Sequence, residues 1–225
     1  MAETLPINFP LETENVIASF SFTDIIDGTG VVVMRAFTSK DNTTADYHLG
    51  TNDLYSNDII TTEAVATTHA GFEAVHDIDF DLGTFNSSRI MSGTARVNIT
   101  LGGNSTSTTG DKQIYAVITL RKWDGSSETD IVNKQTETLQ HNVSTGVESK
   151  TMLVNIPITT DVSFAAGDLL RLNVVTWIKK TVGNGNLGFA HDPKDRNDDG
   201  SNIAQIIEDI DTTTLKAHIP FRIEQ

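Results

Sequence analysis

Apolar and polar residues alternate along most of this chain at a period of two. The alternation is clearest between residues 72 and 82, where apolar and acidic residues occupy opposite parities. One parity holds Phe72, Ala74, Ile78, Phe80 and Leu82, and the other holds Glu73, Asp77, Asp79 and Asp81. A strand with one buried face and one solvated face produces this pattern, whereas a helix repeats its apolar positions every three to four residues. The chain is therefore predicted to be all-β.

Nine segments carry this signal and are separated by polar turns. They are Val16–Phe22, Val31–Thr38, Phe72–Leu82, Arg89–Leu101, Gln113–Trp123, Thr129–Leu139, Lys150–Ile158, Leu169–Lys179 and Leu215–Ile223. Short strands with turns between them predict an antiparallel β-sandwich of the jelly-roll type. We expect a single domain over residues 16–225, preceded by an extended N-terminal arm over residues 1–15 that contains Pro6 and Pro10.

Two segments depart from the strand pattern. Residues 39–62 have few apolar positions and predict an elaborated surface loop. Ile203, Ile206, Ile207 and Ile210 follow helical spacing and predict the one short helix of the chain.

The charge of the chain narrows the classes of partner. A formal charge of −14 and a pI near 4.6 argue against nucleic acid and against an anionic membrane surface, both of which require clustered cations. The absence of cysteine excludes disulfides and thiolate sites, so oligomerisation or bound ions are expected to supply the missing stabilisation. Residues 1–6 show neither the basic nor the apolar region of a secretory signal.

The sharpest local motif is an acidic loop, Asp195-Arg-Asn-Asp-Asp-Gly200. Asp195, Asn197 and Asp199 alternate ahead of a glycine, as the oxygen ligands do at the start of a calcium loop. Ile206 stands where such a loop ends in a bidentate glutamate. A tentative calcium site and a solvated acidic turn both remain open.

Other motifs give weaker signals, and no catalytic residue is assigned. Residues 183–188 match a dinucleotide-binding glycine pattern, but Pro193 disfavours the helix that must follow it, so a hairpin turn is expected. The row Glu73, Asp77, Asp79 and Asp81 has the spacing of a hydrolase carboxylate pair, but any acidic strand face has the same spacing. The six histidines lack metal-binding spacing.

Several phrases in the second half resemble a known architecture. Residues 115–121 and 152–157 are followed by Phe164-Ala-Ala-Gly-Asp168 and an alternating strand, and the chain closes with residues 188–193 and 218–223. An aromatic residue followed by a Gly-Asp pair and an alternating strand resembles a late strand of jelly-roll domains of the tumour-necrosis-factor and complement-like class. The whole arrangement is similar to small β-sandwich proteins on the heads or tails of tailed viruses. This resemblance implies a jelly roll and a tendency to form trimers, with no active-site residues.

These observations favour a non-enzymatic virion surface protein, a capsid decoration, cement or tail-associated component made in the host cytoplasm without a signal peptide. Its expected partners are further copies of itself, in a homo-oligomer and most simply a trimer, and the major capsid or tail proteins. Strands apolar on both faces, such as Leu169–Lys179, require cover on both sides, which supports oligomerisation. The alternative is a carbohydrate-binding or adhesion module in which Trp123, Trp177 or Tyr55 stacks on sugar and the calcium loop is occupied. A glycoside-active enzyme or another hydrolase is a third hypothesis.

Overall fold

The structure is a computed structural model that describes residues 18–19, 29–40, 45–51, 62–65, 67–105, 110–141, 146–181, 185–191 and 215–222. These residues form thirteen strands and, within those ranges, no helix. The strands are β1 (Ala18–Ser19), β2 (Thr29–Lys40), β3 (Ala45–Gly50), β4 (Thr62–Val65), β5 (His69–Leu82), β6 (Arg89–Ser105), β7 (Lys112–Trp123), β8 (Glu128–Gln135), β9 (Leu139–Gln140), β10 (Gly146–Phe164), β11 (Leu169–Lys180), β12 (Leu187–Ala190) and β13 (Lys216–Arg222). The all-β prediction is confirmed. The predicted arm and the predicted helix at Ile203–Ile210 lie outside the described residues.

Hydrogen bonds join all thirteen strands into one mixed sheet. Its order is β4-β12-β6-β13-β2-β3-β5-β11-β7-β8, with β1 paired to β2, β10 to β6 and β9 to β7. Every pair is antiparallel except β3 and β5, which run parallel where His48 and Leu49 lie opposite Asp81 and Leu82. The expectation of a purely antiparallel sheet is therefore wrong at this pair, and the strand order does not confirm the jelly-roll connectivity.

Two stretches of this sheet share one hydrophobic core. We call β5, β11, β7 and β8 the front segment, and β10, β6, β13 and β2 the back segment. Leu172 and Ile118 of the front segment are fully buried in the same cluster as Val97, Ile156 and Ala217 of the back segment. Because each strand places alternate residues on opposite sides, the remaining parity of each segment faces away from that core. The two outward faces therefore lie on opposite sides of the molecule.

The interpretation of residues 39–62 as a surface loop is wrong for β3. Ala45–Gly50 pairs with β2 on one side and with β5 on the other. Leu49 is buried, and the Tyr47 ring packs edge-on against Phe80, with the ring centroids 5.4 Å apart. This short segment is a strand because its two neighbours supply the hydrogen bonds and the core that its own composition lacks.

The described part of the glycine-rich segment, residues 185–188, leads into a strand, and this strand does not form the expected hairpin with β11. Gly185 has a φ of 90°, which suits glycine, and β12 begins two residues later. β12 pairs with β6 and β4 and not with the preceding strand β11. A phosphate-binding loop requires a helix N-terminus directly after the glycines, and here the chain continues as strand β12 instead.

Candidate functional site

The outward face of the front segment carries an ordered network of charges centred on Arg171 of β11. The guanidinium donates from Nε and Nη2 to the two carboxylate oxygens of Asp81 at 2.5 and 2.8 Å. Its Nη1 donates to Glu128 at 2.7 Å and lies 3.4 Å from Asp79. One arginine thus connects three strands, because Asp79 and Asp81 lie on β5 and Glu128 lies on β8. The carboxylates, chiefly that of Asp81, raise the pKa of the Arg171 guanidinium above its already high normal value.

A second arginine continues the network toward the sheet edge. Arg121 of β7 donates from Nε to Asp130 at 2.8 Å and from Nη1 to Asp79 at 3.2 Å, and it lies 3.5 Å from Glu128. Arg121 lies directly opposite Arg171 in the strand register, so the acidic side chains on either side keep the two guanidiniums neutralised.

The centre of the network is the buried side chain of Asn173. Its Nδ2 donates to Asp77 at 2.7 Å and to Asp79 at 2.8 Å. The Oδ1 atom of the same amide is buried and has no hydrogen-bond partner among the described residues. Asp77 receives this neutral donor and forms no ion pair with a described residue, so no described cation offsets its negative charge.

Burial raises the pKa of Asp79 above its ordinary value, and repulsion by Glu128 adds to the effect. The hydrogen bond from Asn173 and the charges of Arg171 and Arg121 act in the opposite direction. A raised pKa is a property of general acids, but both oxygens of Asp79 are engaged by the two arginines. The arrangement ties strands together and presents negative charge.

Aromatic side chains occupy the other end of the same face. Tyr115 of β7 and Trp177 of β11 are cross-strand neighbours, and their rings are nearly parallel, at 6°, with centroids 6.1 Å apart. Phe72 of β5 packs against Tyr115 with a centroid distance of 5.0 Å and remains 37% exposed. We call these three residues the aromatic strip. A planar apolar surface beside carboxylates is suited to binding a partner.

The other residues singled out by sequence have different environments. Trp123 lies at the end of β7 with the Arg171 guanidinium 5.8 Å from its ring centroid, so one ring face is occupied. Tyr55 and the calcium-loop residues Asp195, Asn197 and Asp199 lie outside the described residues. In the described ranges no group of three or more His, Asp or Glu residues is placed to hold a metal ion.

Sequence reasoning identified the acidic row but missed the residues that organise it. Arg171 and Asn173 stand at alternate positions within residues 169–175, which are otherwise apolar, and this was a usable signal that polar groups face them. Their partners on β5 are 90 to 96 residues away in the chain, and register across that distance is not encoded in one strand's pattern. Arg121 was missed for the same reason.

No helix in the described part of the chain is long and apolar enough to cross a bilayer.

Comparisons with known proteins give no family. No protein-family model matches the chain, and no curated protein matches it. Among solved structures, a CocE/NonD family hydrolase from Staphylococcus aureus matches 84% of this chain at 10% identity and a TM-score of 0.42, over 36% of its own length. An aminopeptidase from a marine sediment Thaumarchaeota archaeon matches at 7% identity with the same coverages and the same TM-score.

A viral structure is also similar to this chain. The structure of the Gx strain of infectious bursal disease virus matches 93% of this chain at 11% identity and a TM-score of 0.29, over 53% of that chain. This chain thus spans about one third to one half of the length of the structures it matches. Likenesses this low assign neither a family nor an activity to the chain.

Proposed function

We propose that this protein is a non-enzymatic structural component of a virion surface, either a capsid decoration or cement protein or a tail-associated component. In this proposal the front and back segments form a jelly-roll sandwich. The protein acts through self-assembly and through binding to the major capsid or tail proteins, and it reaches the particle from the host cytoplasm.

The observation that supports a binding role is apolar surface on both outward faces. On the front segment, the exposed Phe72 continues into the rings of Tyr115 and Trp177. On the back segment, Leu153 of β10 is 58% exposed. Scattered apolar residues are common on surfaces, but a continuous aromatic strip on a strand face is typical of a surface that a partner covers.

Imaging of particles from the native source tests this proposal. Gold-labelled antibody against the purified chain is expected to decorate capsids or tails, and the protein is expected to sediment with them. Finding the protein only in the soluble fraction would contradict a virion role. If the purified chain hydrolyses esters or peptides faster than buffer alone, the proposed non-enzymatic role is contradicted.

The carbohydrate-binding alternative is favoured by one specific feature, the parallel rings of Tyr115 and Trp177 on the strand face that also carries Asp77. Aromatic faces bind the apolar faces of sugars, and neighbouring carboxylates accept hydrogen bonds from hydroxyls. A glycan array would show bound sugars for the wild-type chain and none for Trp177→Ala, with Leu153→Ala as a control on the opposite face. Signals that are equal for both variants would exclude the strip as a sugar site.

Calcium binding by Asp195, Asn197 and Asp199 is a further proposal that rests on the sequence. A ligand that binds only the folded state raises the melting temperature as its site fills. Calcium is therefore expected to raise the melting temperature of the wild type but not of Asp195→Ala. An absence of binding heat in calorimetry, with equal melting temperatures in calcium and in chelator, would remove this proposal.

A further inference from the structure

The outward face of the back segment differs in charge from the rest of this acidic chain. Its strand register places Lys216 of β13 opposite Arg35 of β2 on one side and opposite Asn98 of β6 on the other. The next row along the strands places His218 between Arg96 and Val33. Leu153 and Asn155 of β10 complete the two rows. We call these rows the basic face.

The basic face concentrates positive charge on three neighbouring strands. Neighbouring strands are about 4.8 Å apart and residues on one face repeat about every 7 Å, so the three cations fall within a small area. Neither row contains Asp or Glu. Arg96 is exposed, and neither Arg96 nor Lys216 forms an ion pair with a described residue.

The electrostatic environment of His218 agrees with this placement. Burial lowers the pKa of His218, and Arg96, Lys216 and Arg35 lower it further. Every charged group that acts on the ring is thus a cation, although the whole chain carries 30 acidic residues against 16 basic ones.

The front segment carries the opposite charge. Asp77, Asp79, Asp81, Glu128 and Asp130 surround Arg121 and Arg171, so five carboxylates against two guanidiniums leave a net charge of −3. On the basic face, Arg96 and Lys216 carry two positive charges that form no ion pair with a described residue, and Arg35 lies beside them. The two outward faces therefore differ in the sign of their charge.

We propose that the basic face of one copy binds the acidic face of the front segment of a second copy, in a head-to-tail contact. This inference rests on the proposed assembly function and identifies the surfaces that perform it. Charge complementarity selects the partner, because the matching surface is present on the same chain. The contact also covers the exposed Leu153 on one copy and the aromatic strip on the other.

The position of the two faces determines the type of assembly. A contact between two different surfaces is heterologous, and it closes into a ring only when the rotation between copies permits. Here the faces lie on opposite sides of a shared core, so successive copies stack in a line. The proposal therefore differs from a closed trimer, which remains a separate prediction from sequence.

Charge-reversal variants of the full chain test the contact. Arg96→Glu with Lys216→Glu reverses two charges on the basic face. Asn133→Lys with Gln135→Lys adds two cations to the acidic face at exposed amides of β8 and leaves the carboxylate network intact. The control, Lys134→Glu with Lys150→Glu, makes the same net change as the first variant, at exposed lysines that lie on neither face.

Sedimentation velocity from about 10 µM to about 1 mM measures the result. The weight-average mass of the wild type and of the control is expected to rise above 24.5 kDa with concentration. Each face variant is expected to associate about tenfold more weakly or not at all. Melting temperatures close to that of the wild type confirm that the variants are folded.

Mixing the two face variants gives the sharpest test. Each variant retains one intact face, so a mixture forms one productive contact and stops at a one-to-one dimer. A monomeric wild type over the whole concentration range, or a mixture that stays monomeric while the wild type associates, overturns the proposal. Association without any presence on particles refutes the virion role and leaves this contact standing, whereas a monomeric protein on particles refutes this contact alone.

Discussion

Replacing Arg171 with methionine removes the central cation of the front network. Methionine preserves much of the apolar stem but none of the donors. Arg121 still contacts Asp79 and Glu128 in this variant, whereas Asp81 loses its ion pair with Arg171. Strands β5, β11 and β8 also lose the hydrogen bonds that connect them through this side chain.

The expected loss of stability follows from geometry and exposure. Arg171 donates three hydrogen bonds of 2.5 to 2.8 Å to two carboxylates, and its side chain is 19% exposed. Hydrogen bonds to charged groups contribute about 1.5 to 3 kcal/mol each when buried, whereas exposed ion pairs contribute about 0 to 1 kcal/mol. For partners that are 30 to 35% exposed, we expect a total loss of about 2 to 3 kcal/mol at pH 7.

The pH dependence gives the prediction a second test. Ion pairs with carboxylates stabilise the fold only while the carboxylates are ionised, and their stabilisation disappears as pH falls below about 4. The raised pKa of Asp79 changes stability in the opposite direction. It stabilises the folded state below pH 3.8, and this stabilisation is lost as pH rises. Removing the guanidinium raises the Asp79 pKa further, so the variant loses stability more steeply than the wild type as pH increases.

Urea denaturation at pH 7 and near pH 3 measures both effects. The control is Lys150→Met, which removes a 2.7 Å pair with Glu137 whose side chains are 51% and 78% exposed, and it should cost no more than about 0.5 kcal/mol. If Arg171→Met costs as little as the control, or if its cost is unchanged in acid, the network does not stabilise the fold electrostatically.

Three further changes have defined outcomes. Gly103→Ala places a Cβ 2.5 Å from Leu187 Cδ2 and should cost about 2 kcal/mol in urea denaturation, whereas Gly71→Ala, with nothing within 4 Å, should be nearly neutral. His218→Gln should flatten the fall in melting temperature below pH 6.5, because the lowered pKa of His218 makes the unfolded chain bind the proton more readily. Asp124→Ala removes the acceptor for the amides of Ser126 and Ser127, which lower the Asp124 pKa; its effect on melting temperature should shrink as pH falls below 3.8.

Strand positions were predictable because the period of two is a local property. The segment Lys150–Ile158 was identified within β10, which extends over Gly146–Phe164, and Gln113–Trp123 nearly coincides with β7. β3 was not identified because its pairing partners on β2 and β5 are what make Ala45–Gly50 a strand. A segment stabilised mainly by its neighbours gives little signal of its own.

The sequence predicted which face of a strand carries the acidic side chains of the candidate site, but it did not predict which residues of other strands pair with them. Alternation correctly placed Asp77, Asp79 and Asp81 on one face. Whether that face would be solvated or neutralised depended on Arg171, which reaches it only through the register between β5 and β11. The same limitation concealed the basic face, because Arg35, Arg96 and Lys216 belong to three separate strands.

The outward faces carry the functional information of this fold. Core packing constrains only the residues of each strand that face inward, so an outward residue can change without disturbing the buried cluster. Segregating cations on one outward face and anions on the other costs electrostatic energy within each face, since like charges repel. Mixed surfaces avoid that cost. In the proposed contact, a second copy offsets this cost by bringing the basic face of one copy against the acidic face of the next.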